Sequence, residues 1–127
     1  MVDNTIMHFE ILGEDLDNLR RFYSGLFGWR FERAPIPDEY WLIQTAPFKD
    51  GSITDGPNIN GGLTKAQSST RGIINYVSVE SLDESCARIK ELGGRILTPR
   101  REVFDMGWFI LAEDPEGNRF AIWQNIA

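Results

Sequence analysis

The sequence predicts an α+β fold in which two βαβββ modules form a curved, mainly antiparallel sheet around a cavity, with the helices on its outer face. The first observation behind this prediction is a repeat, because the stretch 7–31 returns as 73–97 at a constant offset of 66 residues. The second is that residues 40–43 (YWLI) are echoed by 107–110 (GWFI) at an offset of 67, which adds further strands to the duplicated unit. Open repeat arrays need three or more units to bury a continuous core, so two copies indicate one compact object.

The repeat also predicts the domain organisation. We expect module one at about 6–65, a linker rich in serine and threonine at 66–72, and module two at 73–126. Half of a 127-residue chain is too short to bury a sufficient core by itself. The sequence therefore predicts a single domain, 1–127, in which both modules share one core.

Module one is predicted to begin with a strand and a helix. Residues 6–12 alternate as a strand, and we expect its apolar face to meet the helix. Asp15 is the predicted N-cap of that helix, and Gly28 is placed to end it. The apolar residues expected on its buried side have helical spacing: Leu16, Leu19, Phe22, Tyr23 and Leu26.

Three further strands are predicted in module one, at 29–32, 40–45 and 60–65. Residues 46–58 are rich in Pro, Gly and Asp, so we expect a long surface loop that is either a lid over a site or an insertion. The strands that carry Trp41 and Trp108 are apolar on both faces, and the direction of these two side chains stays open.

Module two repeats this plan. After a strand at 73–79, residues 81–84 have the S-x-x-E form of a capping box at the start of a helix that Gly93 and Gly94 end. A strand at 95–98 and a hairpin of 107–113 with 118–124 follow, and the Asp-Pro-Glu-Gly sequence at 114–117 favours a type I turn. The expected buried stripe of the helix is Leu82, Cys86, Ile89 and Leu92.

Composition and charge exclude several classes of function. The formal net charge of −6 opposes binding to phosphate backbones, so we exclude nucleic acid as a partner. No window approaches the roughly 18 apolar residues of a membrane span, and the N-terminal sequence lacks the features of a secretory signal. We therefore expect a cytoplasmic protein with no membrane partner. Cys86 is the only cysteine, which excludes an internal disulfide and a thiolate metal cage.

Four sequence marks together resemble the vicinal oxygen chelate superfamily, which includes glyoxalase I (lactoylglutathione lyase), bleomycin resistance proteins and extradiol dioxygenases. The marks are MHFEI with His8, LRRFYSGLFGW, NYVSVESLDESCARIKELGG and the ending EDPEGNRFAIWQ. Their order and spacing cover nearly the whole chain, and they are most similar to the glyoxalase-like subgroup. The resemblance implies the fold predicted above.

The resemblance also provides a test for metal binding. Metal-dependent lyases of the superfamily hold a divalent ion with four His or Glu side chains, two from each module. The matching positions here are His8, Gly62, Ile74 and Ala121, so one donor is left. A divalent ion needs about four to six ligand atoms, and Glu10 on the same strand face adds at most one more side chain. We therefore expect no metal and no other cofactor.

Strand alternation predicts which side chains share the cavity face with His8 and Glu10. The candidate ligand-binding residues are Asn60, Thr64, Tyr76, Ser78, Arg119 and Trp123. They form either an apolar and aromatic pocket with a few polar groups, which is typical of a small-molecule site, or a second core that closes on itself. We favour the pocket because this set of polar side chains is costly to bury dry.

His8, the only histidine, and Glu10 are the candidate catalytic residues. His8 is a general base oriented by Glu10, a hydrogen-bonding group for a ligand, or a residue satisfied internally. The leading hypothesis is a metal-free glyoxalase-like protein that binds a small organic molecule, with or without proton transfer at His8. The alternatives are a metal-dependent lyase or isomerase of the glyoxalase type and a non-catalytic structural or partner-binding module. Since members of the superfamily commonly pair modules within a chain or across a dimer, the resemblance also implies a homodimer.

Overall fold

The computed structural model describes residues 4–45, 48–49, 52–53, 59–66, 72–103 and 105–126. The chain divides into two compact units. The first unit is His8–Ile73, and the second is Ile74–Ala127 with Met1–Met7. Each unit contains one helix and a mixed sheet, which confirms the α+β class and the two modules. Most of the predicted linker, 66–72, lies outside the described residues, and the single shared domain stays a prediction.

The first unit contains one helix and the first six strands of the chain. These elements are β1 (Ile6–Gly13), α1 (Leu16–Phe27), β2 (Arg30–Arg33), β3 (Tyr40–Gln44), β4 (Phe48–Lys49), β5 (Ser52–Ile53) and β6 (Gly61–Lys65). The strand order of its main sheet is β2-β3-β6-β1. β6 pairs in parallel with β1, and the other neighbours pair antiparallel.

Strands β4 and β5 correct the prediction of a loop without strands at 46–58. They pair antiparallel, with Phe48 opposite Ile53. The sequence between them is Asp50-Gly51, a dipeptide typical of tight hairpin connections that the surrounding Pro, Gly and Asp residues obscure. The rest of 46–58 lies outside the described residues, so the choice between lid and insertion stays open.

Helix α1 packs on one face of the first sheet. The buried residues of this core are Ile11, Leu16, Ile43 and Leu63. Trp41 packs against the same core, and the Arg20 guanidinium lies 3.9 Å from the centroid of its ring. The direction of Trp41, which the sequence left open, is therefore toward the helix.

The predicted ends of α1 are confirmed, and its predicted buried side is partly wrong. The Asp15 carboxylate accepts a hydrogen bond from the Asn18 backbone N–H, and Gly28 ends the helix in the left-handed conformation with φ of 73°. Phe22 and Leu26, however, are 57% and 59% exposed. The helix contacts the sheet through a narrower strip that includes Leu16, so residues at the edge of the apolar stripe remain in solvent.

The second unit repeats the arrangement. Its elements are β7 (Gly72–Ser78), α2 (Leu82–Glu91), β8 (Arg95–Ile96), β9 (Arg101–Val103), β10 (Gly107–Glu113) and β11 (Arg119–Asn125). β11 pairs in parallel with β7 and antiparallel with β10, and both β8 and β9 pair with β10. β9 was not predicted, because its Arg-Glu-Val sequence has no apolar alternation and its strand conformation depends on pairing with β10.

Helix α2 packs on a second core of four buried residues, Val79, Leu82, Ile110 and Ile122. The Ser81 hydroxyl accepts a hydrogen bond from the Glu84 backbone N–H at 3.2 Å, which confirms the predicted N-cap. Trp108 also packs on this core, so it faces the helix as Trp41 does in the first unit. Burial raises the pKa of the Cys86 thiol, which fits its role as a small hydrophobic residue.

Leu92 corrects the predicted stripe of α2. Its exposed fraction is 65%, whereas that of Leu82 is 0%. Leu92 follows the last helical residue, Glu91, and forms the C-cap, so helical periodicity no longer directs its side chain toward the sheet.

The turn of the hairpin between β10 and β11 lies at the predicted residues, 114–117. The backbone N–H of Gly117 donates to the carbonyl of Asp114 at 3.0 Å, and the Asp114 carboxylate accepts from the backbone N–H groups of Glu116 and Asn118.

Candidate functional site

The face of the first sheet opposite α1 carries the candidate site. Strand β6 lies between β3 and β1, and Gly62 is in register with Glu10 on one side and Leu42 on the other. Alternation along β1 places His8 on the same face as Glu10. Three adjacent strands therefore present their side chains to a common surface.

A hydrogen-bonded group of three side chains lies on this surface. The Tyr40 hydroxyl donates to Oε2 of Glu10 at 2.8 Å, and the same hydroxyl oxygen lies 2.9 Å from Nε2 of His8. The structure thus brings together the two predicted catalytic residues through a third residue, Tyr40, that the prediction missed. The signal for Tyr40 was weak, because β3 is apolar on both faces and its orientation could not be determined.

Gly62 makes this arrangement possible. The Tyr40 side chain extends from β3 across β6 to reach β1. A Cβ atom at position 62 would lie 1.9 Å from the Tyr40 hydroxyl oxygen and 2.3 Å from Cζ of the same ring. Any residue other than glycine at position 62 would therefore displace the tyrosine.

Burial changes the protonation of His8. Loss of contact with water lowers the pKa of the imidazole below its ordinary value of 6.5, because the charged form is the one that needs hydration. His8 is therefore mainly neutral at pH 7, with one nitrogen able to donate a hydrogen bond and the other able to accept one.

Asn60 and Thr64 have structural hydrogen bonds in the first unit. The Asn60 side-chain oxygen accepts from the Thr45 backbone N–H at 3.0 Å, and the Thr64 hydroxyl donates to the Glu39 carbonyl at 2.8 Å. Both side chains connect β6 to the ends of β3. Their predicted contact with a ligand stays a prediction.

The other predicted ligand-binding residues lie in the second unit. Tyr76 is 7% exposed, its ring centroid is 5.9 Å from that of Phe109, and it is in register with Ala121. Ser78 is in register with Trp123, whose indole N–H donates to the Asn125 side chain at 2.7 Å.

The last of these residues, Arg119, is exposed and in register with Glu113. Tyr76, Ser78, Arg119 and Trp123 thus all belong to strands of the second unit, and their ligand-binding role stays a prediction.

The residues at the superfamily's metal positions do not fit a metal ion. Ile74 and Ala121 are buried and have no donor atom, and the Tyr40 hydroxyl fills the space beside Gly62. His8 directs Nε2 to Tyr40. Within the described part of the chain, no group of three or more His, Cys, Asp or Glu side chains is placed to hold a metal.

An open groove of about 410 Å³ lies elsewhere on the first unit, beside the start of α1. Its lining includes Ile11, Leu19 and Tyr23 from the helix side of the sheet. None of the predicted site residues lines this groove. Among the described residues, neither helix is long and apolar enough to cross a membrane.

Comparison with known proteins agrees with this architecture. The model of the Glyoxalase/Bleomycin resistance protein/Dioxygenase superfamily matches residues 5–122. A glyoxylase-like domain-containing protein of Didymella fabae is 28% identical over 124 residues, which cover 92% of this chain and 91% of the relative. The Mycobacterium tuberculosis protein CFP32, provisionally named a glyoxylase, is 22% identical over 110 residues, or 87% of this chain. The chain spans only 41% of that mycobacterial relative's length.

Solved structures show the same fold. Streptomyces coelicolor methylmalonyl-CoA epimerase in complex with 2-nitronate-propionyl-CoA superposes with a TM-score of 0.69 at 16% identity, covering 100% of this chain and 97% of that one. Methylmalonyl-CoA epimerase from M. tuberculosis gives a TM-score of 0.62 at 18% identity, covering 98% and 93%. At these identities the likeness establishes the fold alone.

Proposed function

Because the chain belongs to the Glyoxalase/Bleomycin resistance protein/Dioxygenase superfamily, we propose that it binds a small organic molecule at the His8–Tyr40–Glu10 group without the metal ion of the superfamily's lyases. The observation that carries this proposal is the Tyr40 hydroxyl, which bridges His8 and Glu10 over Gly62. A phenol, an imidazole and a carboxylate are thus held together on one face of the first sheet, which supports the proposal.

The chemistry of these three groups supports binding and simple proton transfer. A neutral imidazole and a carboxylate both accept protons, and the lowered pKa of His8 keeps the imidazole in its neutral, basic form at neutral pH. General base catalysis of this kind contributes about 10²- to 10⁴-fold to a rate. If the protein is an enzyme, we propose a proton-transfer reaction at His8 that needs no Lewis acid.

To identify the class of ligand, the protein should be screened against two sets of compounds. The epimerases that share this fold are solved with acyl-CoA derivatives, so acyl-CoA thioesters form the first set. Small carbonyl compounds and their thiol adducts, suggested by the glyoxylase names of the sequence relatives, form the second. A compound that stabilises the folded state by about 2 to 3 kcal/mol at saturation raises the melting temperature by several degrees.

The experiment combines this thermal screen with elemental analysis of untagged protein. We expect much less than one equivalent of Zn, Ni, Mn or Fe. We also expect a stabilising compound whose effect falls in His8→Ala, while the metal content of that variant is unchanged. The matched control is Ser24→Ala, an exposed change on α1. Stoichiometric metal that is lost in His8→Ala would instead support the metal-dependent lyase.

A screen without any stabilising compound would favour the third possibility, a structural or partner-binding module.

The predicted homodimer also belongs to this proposal, and the exposed side chains of Phe22, Leu26 and Phe27 on α1 support an apolar interface. Light scattering that gives the 14.5 kDa mass of one chain at micromolar concentration would contradict the dimer. The cytoplasmic location stays a prediction.

A further inference from the structure

The hydrogen bonds around Tyr40 determine where the protons lie. A tyrosine hydroxyl has a single proton and can also accept. Because Tyr40 donates that proton to Oε2 of Glu10, its oxygen acts as the acceptor in the 2.9 Å contact with His8. The proton in that contact therefore belongs to Nε2 of His8. A neutral imidazole carries only one proton, so Nδ1 holds the lone pair.

The protonation state of His8 agrees with this count. Burial lowers the pKa of the imidazole and keeps the ring neutral near pH 7. In the neutral ring one proton is carried by one of the two nitrogens, so there are two tautomers to distinguish. Both nitrogens would carry protons in the charged form, and Tyr40 would then make no selection between them.

We propose that Tyr40 is a positioning residue that fixes His8 as the Nε2–H tautomer, so that the basic nitrogen of the imidazole is Nδ1. The imidazole is oriented by a phenol, and that phenol is itself oriented by Glu10. The tautomer is a property of the protein without ligand, whereas its consequence for binding rests on the proposed function.

The absence of a side chain at position 62 is required for the same Tyr40–His8 hydrogen bond. Three atoms of Tyr40 lie within 2.5 Å of where a Cβ of residue 62 would be. Gly62→Ala therefore keeps the tyrosine hydroxyl in the protein and moves it away from His8, while Tyr40→Phe keeps the ring in place and removes the hydroxyl. Two different substitutions should break one hydrogen bond.

The test is ¹⁵N NMR of the ligand-free protein at pH 8, where the only histidine gives an unambiguous imidazole signal. We expect one tautomer, with the proton on Nε2, and slow exchange of that proton with water. In both Tyr40→Phe and Gly62→Ala we expect the exchange to accelerate about tenfold or more, since an ordinary hydrogen bond contributes roughly that factor. The Nδ1–H tautomer should then become visible.

Two matched controls accompany these variants. Tyr23→Phe alters a tyrosine that stacks on Trp29 in the same unit, and Gly25→Ala adds a Cβ where no atom lies within 4 Å. Neither should change the imidazole spectrum. Nδ1–H as the main tautomer of the wild-type protein would overturn the proposal, and so would an unchanged spectrum in both test variants. Failure to find a ligand would challenge the proposed function and leave this result standing.

Discussion

Truncation of Leu82 should strongly destabilise the second unit. Its side chain is 0% exposed and lies between α2 and the sheet, in contact with the core of Val79, Ile110 and Ile122. The backbone N–H of Leu82 donates to the Gln124 side chain at 2.8 Å. That bond does not involve the leucine side chain, so Leu82→Ala removes packing and leaves the anchoring of the helix start intact.

Two contributions set the expected loss of stability. Leu82→Ala removes three carbon atoms from a buried site, which costs about 2.4 kcal/mol at about 0.8 kcal/mol per carbon. If the surroundings leave a cavity of about 50 Å³, a further 1.2 kcal/mol or so follows at about 24 cal/mol per Å³. The free energy of unfolding should therefore fall by about 3.5 kcal/mol.

Urea unfolding followed by circular dichroism measures this change, provided that the slope with denaturant stays constant. Leu92→Ala is the matched control, because the sequence places it on the same stripe and the structure leaves it 65% exposed. The control should lose no more than about 0.5 kcal/mol. A loss below roughly 1 kcal/mol for Leu82→Ala, or equal losses for both variants, would refute the assignment of the buried face of α2.

Three further outcomes are expected. Ser81→Ala removes the N-cap of α2 and should lower the free energy of unfolding in urea by about 1 kcal/mol. The control Ser24→Ala, on the exposed side of α1, should lower it by less than about 0.5 kcal/mol. Equal effects of the two substitutions would argue against the cap. Gly107→Ala places a Cβ 2.4 Å from the Trp123 ring and 2.7 Å from a backbone carbonyl, so it should destabilise by about 2 kcal/mol or more, whereas Gly25→Ala should be neutral or stabilising. Folding lowers the pKa of His8, so the unfolded chain binds the proton more tightly than the folded protein does. Protonation of His8 therefore lowers the free energy of unfolding as pH falls below about 6.5. The wild-type protein should accordingly lose more stability between pH 8 and pH 5.5 than His8→Gln does, and identical losses would contradict the pKa shift.

Elements determined by local chemistry were predictable from the sequence. The side chains of Asp15 and Ser81 cap the two helices where their types and positions indicated, and Gly28 ends α1 in the left-handed conformation. The elements and residues that were predicted wrongly lie where the periodicity of the sequence does not determine structure or burial. Leu92 is beyond the last helical residue, and β9 is a strand only because β10 pairs with it.

The candidate site was predictable as far as strand alternation extends. Alternation correctly placed His8 and Glu10 on one face, where both contact the Tyr40 hydroxyl. Tyr40 was not predictable, because its role requires knowing that β6 lies between β3 and β1 and that a ring can cross a glycine. That information comes from strand order, which a single sequence with apolar residues on both faces of β3 does not determine.

The contact between Tyr40 and Gly62 has a consequence for how this chain can change. A carboxylate at position 62 would add a potential metal donor next to Glu10 in the sheet, yet Gly62→Glu alone would clash with the tyrosine ring. The two positions are therefore epistatic, and the order of substitutions decides whether a side chain at position 62 is accommodated. Loss of the aromatic ring at position 40 has to come first, and only then is a donor at position 62 tolerated. The reverse order passes through a sterically blocked intermediate, so an engineered route to metal binding should start from a small residue at position 40.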